Sequence, residues 1–124
     1  MKFQDILLIS DMDGTLLGKD FQIPQRNLDA IHRFMEEGGN FAIATGRSIT
    51  SGAQYYEQVY PNAPCILLNG GILYDFRSGE TLRKHILPEA AAEYLKGLEK
   101  EFPDCGVEVY TERTIVILQD DPYV

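Results

Sequence analysis

Three short polar segments carry the side chains of this chain that could do chemistry. Residues 11–15 are Asp-Met-Asp-Gly-Thr, residues 45–47 are Thr-Gly-Arg, and residues 69–70 are Asn-Gly. A carboxylate can attack phosphorus and form an aspartyl-phosphate, which divides one difficult step into two easier ones. Carboxylates are also the ligands that Mg²⁺ takes in ones and twos while it keeps several waters. This combination of residue types indicates phosphoryl transfer on a small phosphorylated compound.

The spacing of Asp11 and Asp13 places both carboxylates on one side of the chain, because residues i and i+2 of an extended segment point the same way. One of them can act as the nucleophile and the other as the proton donor to the leaving oxygen. Gly14 allows the backbone to turn sharply behind them, and we expect Thr15 to hydrogen-bond locally and hold Asp13. Thr45, close to the start of a predicted helix, offers a hydroxyl and an N–H to phosphate oxygens.

Each polar segment follows a short apolar run that predicts a strand. The runs are residues 6–9 (Ile-Leu-Leu-Ile), 41–44 (Phe-Ala-Ile-Ala) and 65–68 (Cys-Ile-Leu-Leu). Apolar residues without alternation are typical of parallel strands that are buried on both faces. We therefore expect the first run to lie in the middle of a sheet.

Two segments with helical periodicity separate these runs. The first covers residues 24–37, with Pro24 in its first turn and two glycines just beyond its end. The second is predicted to begin with Ser48 or Thr50 as its cap and to reach about residue 59. Alternating strands and helices with short connections predict an α/β fold with a doubly wound, Rossmann-like parallel sheet. The carboxyl ends of its strands would bring the three polar segments together.

The pattern changes after residue 71. Four further strands are predicted in two antiparallel pairs, residues 72–75 with 81–85 and residues 107–110 with 114–118. Pro88 begins another predicted helix between the two pairs. We expect a core domain over residues 1–82 and a second subdomain over residues 83–124.

Composition limits the possible partners. The formal net charge is −8, from 11 Lys and Arg against 19 Asp and Glu, which repels nucleic acid and anionic membrane surfaces. No apolar run is long enough to span a bilayer, and the N-terminus lacks the pattern of a secretory signal. We therefore expect a cytoplasmic protein. Cys65 and Cys105, distant in sequence and without a CxxC partner, are predicted to be free thiols.

Residue types exclude an EF-hand and disfavour a receiver domain as readings of the acidic loop. An EF-hand calcium loop that began at Asp11 would need glycine at position six and glutamate at position twelve, where the chain has Leu16 and Gln22. A receiver domain would accept phosphate on an aspartate after its third strand, where the chain has Asn69. A plain acidic turn stays open as an alternative, but two carboxylates directly after a fully apolar strand are costly without a partner, which favours phosphoryl transfer at the first strand.

Residues 8–17, Leu-Ile-Ser-Asp-Met-Asp-Gly-Thr-Leu-Leu, resemble motif I of the haloacid dehalogenase (HAD) superfamily, Asp-x-Asp-Gly-Thr-Leu. Residues 44–47, Ala-Thr-Gly-Arg, resemble motif II of that superfamily. Residues 68–71 and the hairpin after them are similar to the Cof-type branch, subclass IIB. That branch consists of Mg²⁺-dependent phosphatases of sugar phosphates and related small metabolites, so the resemblance implies this activity.

The resemblance also implies a role for each matching residue. Asp11 would be the nucleophile and a Mg²⁺ ligand, and Asp13 would be the general acid/base and lend its backbone carbonyl to Mg²⁺. Thr45 would bind the phosphoryl group. Further phosphate or substrate contacts are expected from Gly46, Arg47 and Asn69.

Two features of the family have no match in this sequence. The family uses a later lysine, which stabilises the phosphoaspartate, and a later acidic motif, which completes the Mg²⁺ site. The chain therefore resembles part of a HAD-like core followed by the start of an α/β cap, and we expect it to be inactive and prone to self-association alone. A phosphomutase of the same superfamily and a non-catalytic HAD-like binding or regulatory module are the alternative functions.

Overall fold

The computed structural model describes residues 2–119. These residues form two compact units, and the boundary between the units lies between His85 and Ile86. The first unit contains all the site residues predicted from the sequence. Within residues 2–119, no helix has the length and apolar character that a membrane crossing requires.

The first unit is built on five strands. They are β1 (Leu7–Ser10), β2 (Asn40–Ile43), β3 (Cys65–Leu67), β4 (Ile72–Asp75) and β5 (Glu80–Lys84). β1 pairs in parallel with β2, and a parallel bridge between Ala44 and Ile66 joins the end of β2 to β3. β4 and β5 continue from β3 in antiparallel order. The predicted parallel arrangement of the first three strands and the predicted hairpin are both confirmed.

Two helices pack with these strands. α1 (Gln25–Glu36) begins directly after Pro24 and buries Leu28 and Ile31, as the helical spacing predicts. α2 (Ala53–Val59) begins later than predicted, after Gly52 and without a side-chain cap.

The prediction that Ser48 or Thr50 caps α2 is wrong. Ser48 and Ser51 instead exchange hydrogen bonds, since the Ser51 N–H donates to Ser48 Oγ (3.0 Å) and the Ser48 N–H donates to Ser51 Oγ (2.8 Å). These bonds satisfy the N–H groups of Ser48 and Ser51 within a turn, so the helix begins only at Ala53.

The core of the first unit centres on β2 and β3. Phe41, Ala42 and Ile43 of β2 are almost fully buried, and Tyr56 and Val59 of α2 are buried with them. The unbroken run of apolar residues therefore predicted a buried second strand correctly.

Cys65 of β3 is one of these core residues, and its Sγ accepts a hydrogen bond from the Ile43 N–H (3.2 Å). Burial raises the pKa of the Cys65 thiol to about 11, so it stays a neutral core side chain at physiological pH. Cys105 is exposed, and both residues are free thiols.

The prediction that the first apolar run is buried on both faces is wrong for this chain. Leu7 is 56% exposed, and Leu8 and Ile9 are each 47% exposed. The reason is that, within residues 2–119, β1 has a hydrogen-bonded neighbour on one side only, which is β2. β1 is an edge strand with the composition of a central one.

The second unit has one helix and one hairpin. They are α3 (Ala91–Glu101), β6 (Val107–Tyr110) and β7 (Ile115–Gln119), with β6 and β7 antiparallel as predicted. A turn closes the hairpin through a hydrogen bond from the Thr111 N–H to the Thr114 carbonyl (2.9 Å). None of the side chains described in this unit is buried. The acidic pair at positions 120–121 lies outside the described residues.

Candidate active site

The three polar segments lie at the carboxyl ends of neighbouring strands. The Thr45 N–H donates to the Ile66 carbonyl of β3 (2.9 Å), and the Asn69 N–H donates to the Thr45 carbonyl (3.1 Å). The Arg47 side chain reaches Asp13 in the loop after β1. The convergence that the strand order predicts is therefore present in the structure.

The acidic loop is one tight turn held at both ends. Asp11 has an extended backbone, Gly14 has φ +75°, and the Leu17 N–H closes the turn on the Met12 carbonyl (3.0 Å). Met12 is fully buried, whereas Asp11 and Asp13 are exposed. A buried residue between the two aspartates anchors the loop and directs both carboxylates to the solvent side.

The Asp11 carboxylate is oriented by its own loop. Its Oδ1 accepts from the Met12 N–H (2.8 Å), and its Oδ2 accepts from Thr15 Oγ1 (3.4 Å). The prediction that Thr15 holds Asp13 is wrong, because the turn at Gly14 brings Thr15 back toward Asp11 instead. The hydroxyl therefore helps to orient the predicted nucleophile, not the predicted acid.

Arg47 binds the Asp13 carboxylate with two parallel hydrogen bonds. Nη2 donates to Oδ1 (2.7 Å) and Nε donates to Oδ2 (2.8 Å), and a third donor, Nη1, binds the Ser51 carbonyl (3.2 Å). This fork-to-fork geometry is the strongest form of such a pair. The hydrogen bonds from Arg47 hold the pKa of Asp13 below its ordinary value, and the hydrogen bond to Asp13 raises the pKa of Arg47.

The second and third segments are fitted closely against each other. Thr45 is 6% exposed, and its Oγ1 accepts a hydrogen bond from the Arg47 N–H (3.1 Å). A side chain on Gly46 would place its Cβ 3.0 Å from Asn69 Oδ1, so the two loops approach through glycine. Asn69 itself has φ +54°, a conformation that asparagine tolerates better than most residues.

Two further residues, Ser51 and Tyr55, contact Arg47 at this site. The Ser51 carbonyl holds Arg47, and the Tyr55 ring lies under the Arg47 guanidinium at 5.1 Å. Tyr55 is 3% exposed. A position four residues after the arginine is the only sequence signal for Ser51, and that signal is weak without a structure.

Three other polar side chains of or beside α1 and α2 make structural contacts. His32 Nε2 lies 3.0 Å from the Gln58 carbonyl and 3.2 Å from the Val59 carbonyl. The imidazole therefore contacts the carbonyl groups at the C-terminal end of α2. Tyr56 is buried in the core, and Tyr60 is about half exposed beside Arg77.

A groove of about 340 Å³ adjoins the acidic loop. It is bordered by β1, the start of α1 and the loop itself, and Asp11 and Thr15 are part of its lining. A larger cavity, of about 620 Å³, lies near the C-terminal ends of α1 and α2 and includes none of the predicted site residues. Of the predicted site residues, Asp11 alone lines this groove, so the candidate site is defined by the side chains that meet at the strand ends and not by a cavity.

The donor set of the loop fits part of a Mg²⁺ site. Within residues 2–119, no group of three His, Cys, Asp or Glu side chains is close enough together to hold a metal ion. Mg²⁺ in proteins often takes only one or two carboxylates and completes its shell with water and substrate oxygens. The Asp11 carboxylate and the Asp13 backbone carbonyl are suitable donors, while the Asp13 carboxylate is engaged with Arg47.

Fold and site together define a Rossmann-type α/β domain with a paired-aspartate loop at the end of its first strand. The family model of haloacid dehalogenase-like hydrolases matches residues 8–123. The chain therefore belongs to the haloacid dehalogenase-like hydrolase family.

Known proteins of this family are similar to the chain along most of its length. An HMP-PP phosphatase of Cronobacter sakazakii is 35% identical over 113 residues, which is 90% of this chain and 40% of that protein. A structure of a HAD superfamily phosphatase from Bacteroides thetaiotaomicron is 28% identical, with a TM-score of 0.78 over 98% of this chain and 44% of that chain.

A subclass IIB sugar phosphatase of the HAD superfamily shares the fold. Its TM-score is 0.77, at 20% identity, over 95% of this chain and 45% of that chain. The chain spans between 27% and 40% of the length of the first curated relatives that it matches.

Proposed function

We propose that this chain forms part of a Mg²⁺-dependent phosphatase that hydrolyses small phosphorylated metabolites through an aspartyl-phosphate intermediate. Sugar phosphates are the proposed substrate class, because one structural relative is named as a sugar phosphatase. The observation that carries the proposal is the meeting of the Asp11–Asp13 loop with Thr45, Arg47 and Asn69 at the carboxyl ends of three parallel strands. Similarity to an HMP-PP phosphatase supports a small phosphorylated substrate.

Asp11 is the nucleophile in this proposal. An Asp11 oxygen forms a bond to phosphorus, the bond from phosphorus to the leaving oxygen breaks, and Asp13 gives that oxygen a proton. In the second step the Asp13 carboxylate takes a proton from water. The water oxygen bonds to phosphorus, and the bond to Asp11 breaks to release inorganic phosphate.

The Asp13–Arg47 pair must open before Asp13 can act. While the pair is intact, the pKa of Asp13 is lowered by the hydrogen bonds from Arg47, which favours the carboxylate over the acid that protonates the leaving oxygen. A phosphorylated substrate offers Arg47 another anionic partner. Exchange of one anion for the other would free Asp13 when substrate is present.

The remaining residues bind and orient. Thr45, Gly46 and Asn69 would contact phosphate or substrate, and Thr15 keeps the Asp11 carboxylate in place. The Asp11 carboxylate and the Asp13 backbone carbonyl would hold Mg²⁺, which supplies neutralisation of the charge on the phosphoryl oxygens.

The domain organisation and the setting form part of the same proposal. Residues 1–82 are a partial HAD-like core, and residues 83–124 are the start of an α/β cap. The proposed location is the cytoplasm, and a net charge of −8 disfavours nucleic acid and anionic membranes as partners. We expect the 124-residue chain to have negligible turnover, because residues 2–119 offer no third acidic group beside the two aspartates.

The test compares the 124-residue chain with the same sequence inside a protein of its relatives' length. With Mg²⁺ and a sugar phosphate, we expect phosphate release from the longer protein only. Asp11→Asn should abolish release, and Asp13→Asn should lower kcat by about 10²–10⁴-fold, the usual contribution of a general acid.

Unchanged turnover in Asp11→Asn would contradict the proposal. Transfer of phosphate to a sugar-phosphate acceptor, without release, would identify the phosphomutase instead. Absence of both reactions with folded longer protein would leave a non-catalytic binding module as the function.

A further inference from the structure

We propose that Tyr55 is a positioning residue that fixes the Arg47 guanidinium on Asp13 and ties that pair to the flap, residues 17–24. The mechanistic meaning of this link rests on the proposed function, because it matters for catalysis only if Asp13 is the acid. The contacts themselves are independent of any reaction.

The Arg47 guanidinium is held on its edges and on one face. Its edges donate to both oxygens of Asp13 and to the Ser51 carbonyl. Its carbon lies 5.1 Å from the centre of the Tyr55 ring, a distance at which a cation and an aromatic face attract each other. Edge contacts alone allow the planar group to tilt, whereas the ring beneath it restricts the tilt.

The Tyr55 ring is itself fixed at both ends. Its backbone is in the first turn of α2 and its side chain is buried. Its hydroxyl donates to the Phe21 carbonyl at 2.9 Å, across 34 residues of sequence. The neighbouring Tyr56 has no such role, since its hydroxyl donates to the Ser48 carbonyl (3.2 Å) within the core.

The Phe21 carbonyl that receives this bond belongs to a strained turn. Phe21 has φ +57°, which is uncommon for a residue other than glycine, and its side chain is 64% exposed. The flap is closed by hydrogen bonds from the Phe21 N–H to the Gly18 carbonyl (3.0 Å) and from the Gly18 N–H to the Gln22 carbonyl (2.8 Å). The Tyr55 hydroxyl is thus placed to stabilise a backbone conformation that the sequence alone does not favour.

These contacts form one continuous connection from the flap through Tyr55 and Arg47 to Asp13. Loss of the Tyr55 ring would leave the guanidinium without support on that face. Loss of the hydroxyl alone would leave the ring in place but release it from the flap.

The experiment treats the 124-residue chain, at micromolar concentration, with phenylglyoxal. Peptide mass spectrometry then gives the modification rate of each arginine, which rises as its guanidinium becomes more accessible. Asp13→Asn is the positive control and should raise the modification rate of Arg47. Tyr55→Leu should raise it by about fivefold, the factor that corresponds to a cation–π contact of about 1 kcal/mol. Tyr55→Phe should raise it less, and Tyr56→Phe, a matched loss of a buried hydroxyl, should leave it unchanged.

Arg77 serves as an internal reference for the fold. It stacks on Tyr60 at 3.9 Å and donates from Nε to the Pro61 carbonyl (3.1 Å), away from the Tyr55 contacts. If Tyr55→Leu also exposes Arg77, the variant has unfolded and Tyr55→Phe decides: a faster Arg47 reaction with unchanged Arg77 supports the proposal.

An Arg47 rate that neither Tyr55 variant changes, or that Asp13→Asn leaves unchanged, overturns the proposal. If Asp11→Asn does not affect turnover of the longer protein while the Tyr55 variants expose Arg47, the proposed function fails and the positioning of Arg47 stands.

Discussion

At the scale of single residues, the site is organised by one bidentate ion pair. Asp13 and Arg47 come from different loops and meet with two short hydrogen bonds, although their side chains keep 48% and 26% of their surface exposed. Exposure limits the stability that such a pair provides, because water screens it and both side chains lose freedom. Its larger effect is geometric, because two parallel hydrogen bonds fix the Asp13 carboxylate and the Arg47 guanidinium relative to each other.

The Asp13–Arg47 pair makes the free energy of unfolding of the first unit depend on pH. Because the folded pKa of Asp13 lies below its ordinary value of 3.8, its contribution is complete above that value and is lost as the pH falls through the folded pKa. We expect Arg47→Met to lower the free energy of unfolding by about 0.5–1 kcal/mol at pH 7.

Urea unfolding of wild type and Arg47→Met between pH 7 and pH 3 checks this. The difference between the two proteins should stay constant down to about pH 5 and shrink progressively below it. A difference that grows toward acid pH would show that the assumed sign is wrong. Arg83→Met, on the exposed strand β5, is the matched control.

At the scale of elements, short strands end in loops that glycine and local hydroxyl bonds keep compact. Gly14 turns the acidic loop with φ +75°, and Gly46 lets the second loop approach Asn69. The serine turn before α2 delays the helix until Ala53. Gly14 and Gly46 thus allow the two site loops to stay compact at the strand ends.

Gly52, directly before α2, gives a test at this scale. A Cβ at this position would lie 2.4 Å from the ring and hydroxyl of Tyr56, which is buried and cannot move away freely. We expect Gly52→Ala to lower the free energy of unfolding by about 1–3 kcal/mol, the usual cost of overpacking.

Gly97, inside α3, is the matched control, because a Cβ there meets nothing within 4 Å. Gly97→Ala should leave the first unit unchanged and favour its own helix by about 0.5–1 kcal/mol. Thermal unfolding followed by circular dichroism compares the two variants. Equal stability of Gly52→Ala and wild type would mean that Tyr56 is less tightly confined than its contacts indicate.

At the scale of the whole molecule, the two edge strands of the first unit, β1 and β5, differ in how well they are protected against pairing with another chain. β5 carries Glu80, Arg83 and Lys84, and charged side chains discourage pairing with another chain. β1 carries none, and its apolar side chains are about half exposed. The described residues therefore leave one edge open to association.

We expect the 124-residue chain to self-associate through β1. Leu8→Lys places a charge on this edge and should move the chain toward monomer, as measured by sedimentation velocity over a range of concentrations. Leu82→Lys, on the charged edge β5, is the matched control and should not change the association. A wild-type chain that stays monomeric at all concentrations would contradict the prediction.

The order of the elements, the parallel arrangement of the first three strands and the residues at their ends can be predicted from the amino-acid sequence. Local spacing and strand-end chemistry decide these features, and both can be read from one segment at a time. Tertiary structure decided what those residues touch. Thr15 bonds to Asp11 and Arg47 bonds to Asp13 because turn geometry and loop approach, which no single segment encodes, set the distances.

Burial was decided in the same way. An apolar run predicts that a strand requires neighbouring strands and helices to bury its side chains. Only the folded structure shows whether those neighbours are present. For β2 the surrounding is complete, and Phe41 is 1% exposed. For β1 it is incomplete within residues 2–119, because burial depends on neighbours that lie elsewhere in the chain or outside it.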